Sequence, residues 1–172
     1  MRRKILLLSG GMLLLVLLDQ FTKHLIVTHM PYGSSIPVLG DYVRLTFIYN
    51  ENGAFGLRLH RLLPFLSTKV FFSLFSVIAA CAVLWMYFKT KAGEHLTEIA
   101  LVLILAGAAG NFIDRVRMGH VVDFIDCDFP NFIMDRFPIF NAADSCITIG
   151  VSLLIITSLL VKKDGTAPKP EN

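Results

Sequence analysis

The sequence predicts an all-α membrane protein, four transmembrane helices with a small extracytoplasmic β-sheet. Three observations carry that expectation. Hydrophobic residues make up 55% of the 172, and the mean hydropathy is +0.65, whereas a soluble domain runs at about 45–50% apolar. A chain this short keeps much of its surface exposed when folded, so such a composition has no core large enough to hide in, and lipid is its natural solvent. Four apolar runs approach the ~20 residues that a bilayer demands. The basic residues stand in short clusters beside those runs, the pattern that orients membrane helices rather than one that binds nucleic acid. The length suits a single domain, residues 1–172.

The first span runs from about residue 5 to 27, with Asp19, Lys23 and His24 toward its far end. Its basic start, Arg2-Arg3-Lys4, resembles that of a signal peptide, but no small-residue cleavage pattern follows and the apolar run continues to Val27. It is read as a retained span. An outer loop, about 28–61, comes next. Tyr42–Tyr49 is rich in β-branched and aromatic residues and partly alternates, so it reads as a strand. Gly33, Pro37 and Gly40 mark earlier turns, and Asn52-Gly53 marks a later one.

The second span covers about 70–88, led in by Leu62–Thr68. The third covers about 96–113, opens with Glu98, and carries Gly107-Ala108-Ala109-Gly110. Those small residues allow close helix approach or room for a substrate chain. A second outer loop, Asp114–Asn141, holds Phe129-Pro130 and Phe137-Pro138-Ile139-Phe140, aromatics suited to the interface. The fourth span covers about 142–161, and Lys162–Asn172 reads as a frayed tail. Arg2-Arg3-Lys4, Lys89 with Lys91, and Lys162-Lys163 fall on one side of a four-span chain, which puts both termini in the cytoplasm. Six arginines in the outer loops blur that signal. Cys81, Cys127 and Cys146 form neither a CxxC pair nor a disulfide framework.

Charged groups at a span are costly in lipid and are functional candidates by default. Asp19, Asp114, Asp123, Asp126 and Asp144 all fall at the outer ends of the spans, and the opposite ends show no matching cluster. Asp123 and Asp144 are the pair expected to do chemistry. Two carboxyls sharing a low-dielectric site cannot easily both ionise, so one keeps a proton. One then activates water while the other protonates the departing amine, as amide hydrolysis requires. The two titrate as a unit, so acid and base are not assigned individually. From the residues alone, helix capping stands level with catalysis, because Asp144 opens the fourth span, where a carboxylate suits the orphan N–H groups and the helix dipole.

Four motifs tip that balance. Asp19-Gln20-Phe21-Thr22-Lys23 resembles the DxxTK motif of lipoprotein signal peptidases, the signal peptidase II family. Gly110-Asn111-Phe112-Ile113-Asp114-Arg115 resembles their GNxxDR, Gly119–Asp126 their GxVVDFID, and Phe140-Asn141-Ala142-Ala143-Asp144-Ser145 their FNxADS. They come in family order around four spans, so the resemblance covers nearly the whole chain. One stretch departs from the family's Asn-x-Gly-Ala-Ala-Phe. Here Asn50-Glu51-Asn52-Gly53-Ala54-Phe55 puts Asn50 at the Asn position without a gap, and Asn52 there with one.

The resemblance implies an aspartic-type endopeptidase of the bacterial inner membrane, working at the outer leaflet without metal or cofactor. It would remove signal peptides from diacylglyceryl-modified prolipoproteins, cutting before the lipidated cysteine. Asp123 and Asp144 would be the dyad. Asp19, Lys23, Asn50, Gly53, Asn111, Asp114, Arg115, Asn141 and Ala143 would position the dyad and the substrate. Membrane lipid would be the other contact, with no nucleic acid, and the chain would act as a monomer. Structural readings stand beside these: an Asp19–Lys23 ion pair four residues apart on a helix, Arg115 paired with Asp114 or lipid phosphate, and Asn111 and Asn141 bonded across helices. A small transporter or channel subunit would need polar residues along the whole bilayer depth, whereas here they gather at one face. The five scattered histidines with no HExxH, and the lack of GxSxG, argue against metallo- and serine proteases.

Overall fold

The computed structural model describes residues 2–40, 42–51, 68–128 and 137–164. Four helices and three strands follow in the order α1 (Arg2–His29), β1 (Ser35–Leu39), β2 (Val43–Asn50), α2 (Thr68–Lys89), α3 (His95–Met118), β3 (Val121–Cys127) and α4 (Ala142–Asp164). Three of the helices, α1, α3 and α4 over Ala142–Leu160, are long and apolar enough to cross a membrane. The apolar part of α2, Ser73–Lys89, is shorter.

Burial ranks the helices. Half of the apolar window of α3 is buried, against 6% for α1 and 11% for α4. α3 packs against each of the other three, so it is the central helix, while α1 and α4 turn rows of leucine and isoleucine outward. A helix apolar on every side, as α1 is over Ile5–Leu18, belongs in lipid. Glycine permits the close crossing of α3 and α4. A Cβ at Gly107 would collide with the backbone carbonyl of Ala143, and one at Gly150 would lie 2.7 Å from that of Ala100. Of the two uses expected for the small residues of α3, the packing use is the one observed.

The strands form one antiparallel sheet, ordered β1-β2-β3. β2 lies where the alternation placed it. Pro37 does not end a turn; it sits inside β1, the edge strand, where a missing N–H disturbs no inner ladder. The pairing of β1 slips beside it, between Pro37 and Leu39. The expected Asn52-Gly53 turn lies outside the described residues.

The second outer loop is more ordered than expected. α3 runs five residues past Ile113, to Met118, and ends where Gly119 takes a left-handed φ of 86° and returns its N–H to Arg115 O. β3 follows at once, so Asp123 stands on a strand and not in a loop. The face of the sheet with Phe47, Val122 and Phe124 packs on Ile26 and Met30 at the end of α1. This contact sets the sheet on the helix bundle.

Among the described residues the far pole carries no matching group of acids, as expected, but it is not apolar. Glu98 is 1% exposed there and lies within 4 Å of Arg3, Lys4 and His95. Lys4 also donates to Tyr87 O in the last turn of α2 and to Thr90 O just past it, and the Tyr87 hydroxyl donates to Lys4 O at 2.7 Å. The pole therefore holds a buried polar cluster, but one carboxylate among cations rather than a group of acids.

Candidate active site

The head of α4 organises the site. Asn141 is its N-cap and Asp144 its third residue, and they exchange bonds: Asp144 N–H donates to Asn141 Oδ1 at 2.9 Å, and Asn141 N–H to Asp144 Oδ2 at 3.2 Å. This is a capping box with Asn and Asp in the two roles. Helix capping and a place in the site thus belong to the same carboxylate, whose Oδ1 remains directed at Asn111 Nδ2, 2.7 Å away.

Asp123 reaches that point because the chain before α4 pairs with β3. Phe124 N–H and Ile125 N–H both donate to Phe140 O, at 3.1 and 2.7 Å, and Phe140 N–H returns to Ile125 O. The next residue after Phe140 is Asn141, whose Nδ2 lies 2.7 Å from Asp123 Oδ1. Asn50, at the end of β2, donates to Asp123 Oδ2 at 2.8 Å. Asn141 is fully buried and touches both carboxylates, and each of the four dyad oxygens accepts one amide N–H. Burial pushes the Asp123 carboxyl up to about 6, with the charge of Asp144 as the second cause. Bonds from Asn50 and Asn141, and the charge of Lys23, pull the other way.

Behind the dyad lies a buried ion cluster. Lys23 Nζ is 2.9 Å from Asp19, 2.8 Å from Asp114 and 3.0 Å from Asn111 Oδ1. Asp19 Oδ1 accepts the Ala143 N–H of α4 at 2.9 Å, and Asp114 Oδ2 accepts the Val122 N–H of β3 at 3.3 Å. The cluster therefore ties α1, α3, β3 and α4 together directly behind the two aspartates. Gly110 leaves space for it, since a Cβ there would sit 2.5 Å from Asp19 Oδ2.

Of the residues expected from sequence, Asp19, Lys23, Asn50, Asn111, Asp114, Asn141 and Ala143 all meet Asp123 and Asp144 at this pole. Arg115 lies within electrostatic range of Asp144, Asp123 and Asp114, although Asp114 takes Lys23 as its ion partner. The expected Asp19–Lys23 pair exists, as one edge of the larger cluster. Gly53 lies outside the described residues. Two participants were missed. Gln20 donates to Asp114 Oδ1 at 2.8 Å and to Gly110 O at 3.3 Å; it occupies an unspecified position of its motif. Thr46 donates to Asp126 Oδ2 at 2.6 Å; its two-residue spacing from Ile48 and Asn50 was a signal that it shares their face. An open apolar cleft of about 450 Å³ lies between the end of α1 and the sheet, with Ile26, Met30, Leu45 and Phe124 in its wall. None of the dyad residues lines it.

The family described as signal peptidase (SPase) II matches residues 11–160. The lipoprotein signal peptidase of Syntrophus aciditrophicus is 36% identical over 92% of this chain and 94% of its own. That of Staphylococcus aureus strain MRSA252 is 40% identical over 84% and 82%. Two solved structures of bacterial membrane enzymes superpose with TM-scores of 0.80 and 0.76 at 35% and 37% identity, the first covering 96% of this chain and 94% of its own.

Proposed function

The chain belongs to the signal peptidase II family, whose members are membrane aspartic-type peptidases that process prolipoproteins, and from that premise we propose that Asp123 and Asp144 are its catalytic dyad. The observation that carries the assignment is Asn141, one buried residue whose side-chain amide donates to Asp123 Oδ1 and whose backbone N–H donates to Asp144 Oδ2. In the reaction, one carboxylate takes a proton from water as the water attacks the scissile carbonyl, and the other gives its proton to the departing amine. Asn111, Asn141 and Asn50 hold the carboxyls, and Lys23 with Asp19 and Asp114 holds Asn111 and the neighbouring backbone. Arg115 supplies positive charge beside the site.

The substrate on this reading is a prolipoprotein whose cysteine already carries diacylglycerol, cut just before that cysteine. Its apolar signal segment approaches through the bilayer while the acyl tails stay in lipid. The chain works as one domain and one copy in the bacterial inner membrane. α2 is the fourth span. Its 22 residues rise about 33 Å at 1.5 Å each, enough for a hydrocarbon core of about 30 Å. The basic clusters at Arg2–Lys4, Lys89–Lys91 and Lys162-Lys163 support cytoplasmic termini and a dyad at the outer leaflet. A transporter reading is not favoured. Between the two polar poles the core of α3 is Leu101, Val102, Leu105 and Ala106, with no polar path among the described residues.

The test is cleavage of a diacylated prolipoprotein by purified Asp123→Asn and Asp144→Asn enzymes. Both are expected to be inactive yet folded, while a chelator leaves the parent enzyme active. Cleavage by either folded variant overturns the dyad.

A further inference from the structure

Asp123 and Asp126 are three residues apart on β3, a spacing that puts side chains on opposite faces of a regular strand. Here both look to the same face of β2. Asn50 donates to Asp123, Thr46 donates to Asp126 at 2.6 Å, and Arg44 Nε lies 3.6 Å from the same Asp126 oxygen. Residues 44, 46 and 50 share one parity, and Phe47 and Tyr49, of the other parity, pack toward α1. The alternation of β3 is broken between the two aspartates. Phe124 and Ile125 both give their N–H to Phe140 O, and the β2–β3 pairing slips between Leu45 and Ile48. This is a β-bulge, a device that re-aims a side chain at the cost of one irregular pair.

A bulge can relax unless something holds the strand beyond it. Asp126 stands at that point, 0% exposed. Arg44 completes the contact, pairing on its other side with Asp128 at 3.4 Å. Burying a carboxylate beside a half-buried guanidinium is costly, and a hydrophobic pair would hold two strands together more cheaply. What the polar set adds is direction: a hydroxyl and a guanidinium fix where the carboxylate lies.

We propose that Asp126, with Thr46 and Arg44, is a positioning unit that locks the bulge and thereby sets the angle at which Asp123 meets Asn50 and Asn141. It touches neither substrate nor water and acts through Asp123. The inference rests on the dyad reading above.

The test compares Thr46→Val, Thr46→Ser, Asp126→Asn and the Thr46→Val/Asp126→Asn double variant, each assayed on the lipidated prolipoprotein with a melting curve in detergent. A displaced catalytic group costs on the order of 10- to 100-fold, so Thr46→Val and Asp126→Asn are expected to lose about that much kcat while KM stays within about twofold. Thr46→Ser, which keeps the hydroxyl, should restore kcat. The double variant should be no worse than the poorer single one, because the residues act as a unit. Unchanged kcat in Thr46→Val overturns the proposal, as do losses that multiply in the double variant or that serine fails to repair. If Asp126→Asn does not fold, the Thr46 pair decides alone. Asp123→Asn separates the two readings. Inactive Asp123→Asn beside fully active Thr46→Val leaves the dyad standing and removes the positioning unit; active Asp123→Asn removes the dyad and this inference with it.

Discussion

Asn141 is asked to do two jobs, and one substitution can separate them. Its Oδ1 caps α4 by accepting the Asp144 N–H, while its Nδ2 reaches Asp123 Oδ1 at 2.7 Å and Asn111 Oδ1 at 3.1 Å. Serine is as good an N-cap as asparagine, so Asn141→Ser keeps the first job; it has no amide to keep the second. Asn141→Ala loses both. Loss of the cap costs about 1 kcal/mol, and loss of a hydrogen bond to an ionised group costs about 1.5–3 kcal/mol. If the second sum is felt in the transition state, kcat falls about 10- to 150-fold, at 1.36 kcal/mol per decade. The assay is single-turnover cleavage of a lipidated prolipoprotein, beside an unfolding curve of each purified variant in detergent. The alanine variant should melt several degrees lower and lose activity. The serine variant should melt close to the parent and lose as much activity as alanine does. A serine variant that cleaves at the parental rate refutes the bridge and leaves Asn141 a cap.

Three further outcomes follow from the same geometry. Asp123 stands at about 6 in the folded chain, above the ordinary aspartate value of 3.8, so it favours folding below about pH 4 and loses that contribution as pH rises through 6, on the order of 3 kcal/mol; the melting midpoint should therefore fall between pH 4 and 7, and Asp123→Asn should flatten that slope whatever its offset, a steep slope in the variant contradicting the assignment. Gly107→Ala puts a methyl against Ala143 O, so α4 must shift with Asp144 on it, costing about 1–3 kcal/mol and most of the activity; Gly10→Ala meets nothing within 4 Å and should raise stability by about 0.5–1 kcal/mol, and equal effects of the two on melting would discredit the packing argument. Glu98→Gln, at the far pole, should lower the melting midpoint by leaving Lys4 and Arg3 without their buried partner yet leave kcat unchanged, and a fall in kcat at constant KM would show that the poles are coupled.

What was legible in the sequence was whatever a local period or a run of composition encodes. The helices announce themselves as apolar runs, and Tyr42–Tyr49 as a half-buried strand found one residue away, at Val43–Asn50. β3 escaped notice because its acids are spaced by three, which fits no period of two, and the bulge that reconciles them depends on Phe140, fifteen residues beyond Ile125. Pro37 read as a breaker because a proline is barred only from inner strands, and nothing local says which strand is the edge. The Glu98 cluster was hidden for a similar reason, since Arg3 and Lys4 lie more than ninety residues before their partner. Motif residues such as Asp19, Asn111 and Asn141 could be named in advance, but not their bonds. That Asn141 would be shared between two carboxylates, or that Gln20 would join Asp114, follows from helix packing across Gly107 and Gly110, which no window of sequence contains.

The placement of charge explains why the dyad is surrounded by asparagines. Lys23 could have met Asp144 directly, and a buried ammonium–carboxylate pair would be strong. It would also hold that carboxylate ionised and occupied. Instead Lys23 is matched to Asp19 and Asp114, at 2.9 and 2.8 Å, and reaches the dyad only through Asn111, which accepts from Lys23 at 3.0 Å and donates to Asp144 at 2.7 Å. An amide passes on orientation without a net charge. The same holds for Asn50 and Asn141 at Asp123. The carboxyls are thus fixed in place by neutral donors, while burial and the charge of Asp144 raise Asp123 and the charge of Lys23 lowers it. Two acids so held can trade one proton between them within a turnover, one taking it from water and the other giving it to the leaving amine. A lysine in the place of Asn111 would set a second buried ammonium beside Lys23 and hold the Asp144 carboxylate charged, which would stop that exchange.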